Sequence, residues 1–194
     1  MSTAEHWLAD VLLQFRKTKQ LADGALAQVS DADLFRALDA ETNPIAIVMK
    51  HMSGNMRSRW TDFLTTDGEK PDRNRDGEFE IASWDTRESI MAAWENGWRC
   101  VFEAIGALTP ADLEKTVAIR DEPHTVVQAI DRQLTHYSYH VGQIVLLARH
   151  FAGERWRSLS IPRGRSRDFE VAKNGSTYLP ADREADSPRN DSHS

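Results

Sequence analysis

Ile130-Asp-Arg-Gln-Leu-Thr-His136-Tyr-Ser-Tyr-His140-Val-Gly-Gln143-Ile-Val-Leu-Leu-Ala148 is the stretch from which the fold is read. Val127, Ile130, Leu134, Val141, Val145 and Ala148 cluster on one side of a helical wheel. The segment therefore predicts an amphipathic helix, opened by Pro123 and ended near Phe151 by Gly153. His136 and His140 are four residues apart, and at about 100° per residue both imidazoles reach one side and can share one metal ion. His140 lies at the edge of the apolar stripe and His136 further out, with Gln143 and Leu147 continuing their line. The pair thus borders the core, where a cleft fits better than close packing.

Working outward, three more long helices follow from the same periodicity. Glu5–Leu26 carries Leu8, Val11, Leu12, Phe15 and Leu21. Asn43 as cap and Pro44 in the first position open a second helix, which runs through Ile45, Val48, Met52, Met56 and Phe63 to about Leu64. Asp85 with Glu88 opens a third, carrying Ile90, Trp94, Trp98, Val101, Phe102 and Ile105 to about Leu108. Residues 65–83 are polar, with Gly68, Pro71 and Gly77, and read as a long surface connection. A connection of that length is either functional or a crossover. Slid by 79 positions, the chain sets Ser30 on Thr109, Asp33 on Asp112, Leu34 on Leu113, Pro44 on Pro123 and Val48 on Val127. Convergent capping chemistry explains this, and so do two related helical hairpins. The second option predicts an all-α four-helix bundle of up-down-down-up connectivity, with the polar connection as crossover between its second and third long helices.

The composition fits one soluble domain: 194 residues, 40% hydrophobic, 28% charged and a net charge of −6. Residues 1–170 are expected to build the bundle, and 171–194 a polar, mobile tail. The acidic balance argues against nucleic acid or an anionic membrane as partner. The longest apolar runs, Ile45–Met49 and Ile144–Ala148, fall far short of the roughly 20 residues of a membrane span. The beginning of the chain, with Glu5 and Asp10, does not read as a signal peptide. A lone cysteine, Cys100, suits a reducing cytoplasm, is expected in the core, and excludes a multi-cysteine zinc site. Histidines or carboxylates would have to hold any metal.

His51 is the third candidate ligand, seven residues after Pro44, with Asn55 one turn on. If the second and fourth long helices run antiparallel, His51 meets His140 and Gln143; if parallel, it meets Asp131. Three neutral imidazoles suit zinc, nickel or iron and leave positions open, as in a catalytic site. His6, His124, His150 and His193 sit near helix ends or chain ends and need no such role. Ser138 lacks a nucleophile elbow, and the acidic residues between Asp62 and Asp76 do not have the spacing of an EF-hand loop.

His136-Tyr-Ser-Tyr-His140-Val-Gly-Gln143, together with the earlier histidine, resembles the DinB/YfiT-like superfamily. The stretches His51-Met-Ser-Gly-Asn-Met-Arg-Ser-Arg-Trp60, Thr61-Asp-Phe-Leu-Thr-Thr-Asp-Gly-Glu-Lys70, Glu122-Pro-His-Thr125 and Trp156-Arg-Ser-Leu-Ser-Ile-Pro162 resemble a branch of it known as a domain of unknown function. The likeness covers about residues 5–170. It implies a four-helix bundle, a homodimer, and a divalent metal on His51, His136 and His140, zinc or nickel first and iron or manganese after them. Some relatives transfer a low-molecular-weight thiol (bacillithiol, mycothiol or glutathione), and others are hydrolases or isomerases.

Three functions remain open. The first is a metal-dependent enzyme, an S-transferase or a hydrolase acting on a small molecule, with Asn55, Gln143 and Arg59 as candidates to orient substrate. The second is a metal-stabilised binding module, and the third an interaction bundle with an empty site, which six tryptophans support weakly. A 67–85 connection folded over the histidines would favour the enzyme.

Overall fold

A computed structural model describes residues 1–179. The chain is mostly helical and divides into two compact units, Met1–Arg155 and a second beginning at Trp156. The described part of the second unit contains a short antiparallel ribbon, Glu170–Val171 with Thr177–Tyr178. Residues 180–194, most of the expected tail, lie outside the described residues.

In the first unit, α1 (Thr3–Leu26) starts at a capping box in which Ser2 and Glu5 satisfy each other's backbone amides. The short α2 (Asp31–Leu34) is capped by Ser30 as its sequence suggests. α3 spans Ile45–Trp60, with Pro44 as the cap residue and no side-chain cap, and it ends four residues before Leu64, where Thr61 turns extended. α4 (Arg87–Gly106) is capped by Thr86 and Ser89 rather than Asp85, whose carboxylate is held by Lys50 at 2.6 Å.

The largest departure from expectation precedes α5 (Val126–Ala152). Pro123 does not open this helix. It sits in the second strand of an antiparallel hairpin, β1 (Thr116–Ile119) and β2 (Glu122–Thr125), with Ala118 opposite Pro123 and Ile119 opposite Glu122. Thr125 caps α5 with Gln128 as its box partner. The 79-residue repeat therefore holds for the caps at Ser30 and Thr109 but not for the two prolines. Val117 and Ile119 bury the inner face of the hairpin. Its two-residue turn, Arg120-Asp121, has φ of 57° and 61°. Left-handed turns of this kind favour Asn-Gly. Here the Asp67 carboxylate accepts both turn amides, at 2.9 and 2.8 Å, and stabilises the conformation from outside.

Each long helix contributes a ring to one aromatic core. Phe15 of α1, Trp98 of α4 and Tyr137 of α5 meet with ring centroids 5.8–6.5 Å apart, and Trp60 of α3 joins Phe15 at 6.1 Å. Such pairs add about 0.5–1.5 kcal/mol beyond the area they bury. The buried stripe of α5 is rotated from the expected one. Gln133, Tyr137, Ile144 and Leu147 are buried, whereas Val127, Leu134 and Val145 are half-buried. Tyr137 sits at its centre because its hydroxyl finds partners, accepting from Trp60 Nε1 and donating to Asn55 Oδ1, each at 3.0 Å. Trp94 is likewise core, while Trp84 is exposed and Cys100 only half-buried, contrary to expectation for the thiol.

Two helix pairs reveal their direction. Phe15–Trp98, Lys19–Glu95 and Asp23–Trp94 climb α1 while descending α4. His51–His140 and Asn55–Tyr137 do the same along α3 and α5. Both pairs are antiparallel. No helix among the described residues is long and apolar enough to cross a membrane.

Candidate metal centre

On α3, His51, Asn55 and Arg59 follow at intervals of four and form one line. On α5, Gln133, His136, His140 and Gln143 form another. Because the helices are antiparallel, the first line faces the second in reverse, and His51 meets the His-x-x-x-His pair. His51 is buried, and His136 and His140 are half-buried.

The three rings present their Nε2 atoms to one point. His136 Nε2 lies 3.4 Å from His51 Nε2 and 3.0 Å from His140 Nε2. Ligand atoms of all three fall within 4.8 Å of one another. With Zn–N bonds of about 2.0–2.1 Å, tetrahedral ligands stand about 3.3 Å apart, so the spacing fits a metal. The outer nitrogens fix the tautomers. His51 Nδ1 donates to Glu78 Oε2 at 3.0 Å, and His140 Nδ1 donates to Gln143 Oε1 at 2.7 Å. Both Nε2 atoms therefore point lone pairs at His136 Nε2, which has at most one hydrogen to offer. A cation satisfies all three. A carboxylate behind a ligand histidine is the usual device for orienting the ring and raising its basicity.

Burial, followed by the charges of His140, His51, Arg59 and Arg73, pushes His136 down to about 3. Burial also lowers His140, against the hydrogen bond to Gln143. Neutral rings are the form a metal binds. Burial alone would raise the Glu78 carboxyl, but hydrogen bonds from Arg73 and His51 hold it below its ordinary value and keep it ionised.

Glu78 comes from the long connection, which folds over the histidines. Phe79 sets its ring 5.0 Å from that of His51, and Arg73 clasps Glu78 through Nε and Nη2, each at 2.8 Å. Gly54, in the interior of α3, makes the approach of Glu78 feasible. A Cβ there would collide with Glu78 Oε1 and lie 2.7 Å from its Cδ. Periodicity gave no hint of Glu78 or Arg73, which lie in an aperiodic charged loop. Gly54 was the available signal, because an interior helix glycine costs about 1 kcal/mol against alanine and asks for a reason.

A cavity of about 220 Å³ opens beside the rings, with His51 and His136 in its wall. Asn55 and Arg59 also line it, whereas Gln143 does not. Gln143 holds His140 and lines a separate cavity with Val48 and Leu147. Asn55 is buried and engaged by Tyr137. Arg59 is 6% exposed and donates to Gly68 O and, at 3.1 Å, to Glu69 Oε2.

A family model for proteins of unknown function, DUF1572, matches residues 2–165. The chain belongs to the DUF1572 family. No curated protein and no solved structure matches it. The DUF1572 match spans every residue of the centre described above, so the three histidines, Glu78 and the arginines all lie within the family's region.

Proposed function

We propose that this DUF1572 protein is a DinB/YfiT-like four-helix bundle whose histidines hold one divalent metal, zinc or nickel first, in a small-molecule enzyme. The antiparallel pairing of α1 with α4 and of α3 with α5 supports the up-down-down-up connectivity. The observation that carries the metal reading is the convergence of three Nε2 atoms, with the outer nitrogens of two of the rings, His51 and His140, engaged by Glu78 and Gln143. A metal held there supplies Lewis acidity, lowering the pKa of a bound thiol or water so that its anion is available at neutral pH.

The connection folded over His51 supports an enzyme over a purely stabilising ion, since it builds a cavity that such an ion does not need. Among the described residues, the wall of that cavity holds no aspartate or glutamate, and Glu78 is committed to His51 and Arg73. A hydrolase would want a free carboxylate as base beside the metal, so transfer of a low-molecular-weight thiol fits better. In that role Glu78 and Gln143 hold two rings in place, Asn55 and Arg59 face the substrate, and Phe79 shields His51 from water. Metal-loaded protein incubated with bacillithiol, mycothiol or glutathione and an alkylating electrophile should consume thiol faster than His136→Ala protein. Equal rates, with hydrolysis of an amide panel instead, would assign the hydrolase. We also propose that the protein is a homodimer, and light scattering after size exclusion showing only monomer would refute that part.

A further inference from the structure

Five arginines, Arg59, Arg73, Arg75, Arg120 and Arg132, line the 220 Å³ cavity beside the histidines. They come from four places: α3, the long connection, the β-hairpin turn and α5. In a chain whose net charge is −6, this concentration of cations is a local feature and not a compositional accident. Two carboxylates answer them. Glu69 accepts from Arg59, Arg73 and Arg120, and Glu78 accepts from Arg73. Five guanidiniums against these two carboxylates, with Asp67 also near Arg59, leave an excess of positive charge around one small space.

Two of the five are built into the protein. Arg59 is 6% exposed, and the side chain of Arg73 is 2% exposed. Arg59 Nε is buried without an acceptor. Arg75 sits over the Phe79 ring at 5.1 Å, and Arg132 has no partner among the described residues. Arg120 is held at the rim by the left-handed turn that Asp67 clamps. A non-glycine residue in that conformation costs about 1–2 kcal/mol, and such strain collects at functional positions. Gathering like charges in a partly dry cavity is unfavourable until an anion enters.

We infer that this cavity binds a small anion with two or more negative charges, carried by carboxylate or phosphoryl oxygens, next to the metal ligands. Arginine forks match both groups in pairs of hydrogen bonds. The volume lies below the roughly 300–1,000 Å³ of drug-sized sites, which suits a ligand of a few carbons. The inference names the substrate class for the enzyme proposed above, and rests on that proposal only for the anion's place beside a metal. Binding itself needs the arginines alone.

The test is calorimetric titration of inorganic phosphate and of succinate, at constant ionic strength, into chelated and zinc-loaded protein. Arg75→Gln/Arg132→Gln is the test variant, since both residues are exposed, and Arg99→Gln on the outer face of α4 is the control. Saturable one-to-one binding of at least one anion to chelated protein is expected. It should weaken about tenfold or more in the double variant and stay unchanged in Arg99→Gln. The tighter of the two anions identifies the chemical group. No saturable binding, equal binding in all variants, or binding that needs zinc and ignores the arginines overturns the inference. Zinc bound without either anion refutes the anion site alone. Anion bound by protein that takes up no zinc refutes the metal centre alone.

Discussion

Gly54→Ala should weaken metal binding although residue 54 touches no metal. The new Cβ would collide with Glu78 Oε1 and lie 2.7 Å from Cδ, so the carboxylate must withdraw from His51. Losing the partner behind a ligand histidine costs about 10–100-fold in metal affinity, or about 1.4–2.8 kcal/mol. Stability has two opposing contributions. Alanine in the interior of α3 gains about 0.8–1 kcal/mol in helix propensity. Separating Glu78 from the buried Arg73 costs less than the about 3–5 kcal/mol of an orphaned buried charge, because Glu69 Oε1 stays 3.4 Å from Arg73. The metal-free variant should therefore lose about 1–3 kcal/mol. Zinc affinity is measured by competition with a chromogenic chelator, and stability by urea unfolding. Gly142→Ala is the control, since a Cβ there meets nothing within 4 Å. It should be slightly stabilising with unchanged zinc affinity. Unchanged zinc affinity in Gly54→Ala would refute the role given to Glu78.

Other consequences are as direct. In metal-free protein His136 titrates near 3 and His140 below its ordinary value, while in the unfolded chain both titrate near 6.5. The unfolded chain takes up protons first, so stability should be full above pH 6.5 and fall as the pH drops toward 3. A melting temperature that rises on acidification over this range would contradict the burial of these rings. Tyr137→Phe leaves Trp60 Nε1 without its acceptor and Asn55 Oδ1 without its donor, and should cost about 1–3 kcal/mol with little change in zinc affinity. A change confined to zinc affinity would place Tyr137 in the metal centre instead of the core. Chelation should lower the melting temperature of wild-type protein and leave that of His51→Ala unmoved.

The histidines were legible because helical periodicity is strict. Once α3 and α5 were recognised, residue spacing made an antiparallel meeting of His51 with His136 and His140 one of two possibilities. The pairing that makes the short hairpin was not legible. Arg120-Asp121 lacks the glycine that marks such turns, and Asp67, its compensation, lies 53 residues away in sequence. Pro123 is ambiguous for a related reason, since a proline before a capping threonine suits a strand edge as well as a first helical turn. Glu78, Arg73 and Arg75 belong to an aperiodic loop, where only the three-dimensional path of the chain reveals what each side chain meets. The rotation of the α5 stripe was not legible either, because the wheel counted aliphatic residues, whereas the buried stripe centres on Tyr137, an aromatic ring with a satisfied hydroxyl.

Metal content is the most direct measurement, taken by elemental analysis of protein purified without chelator or nickel resin. Wild-type protein should contain about one divalent ion per chain, and His136→Ala, folded by circular dichroism, should contain almost none. Equal metal in the two proteins would contradict a centre built on His51, His136 and His140.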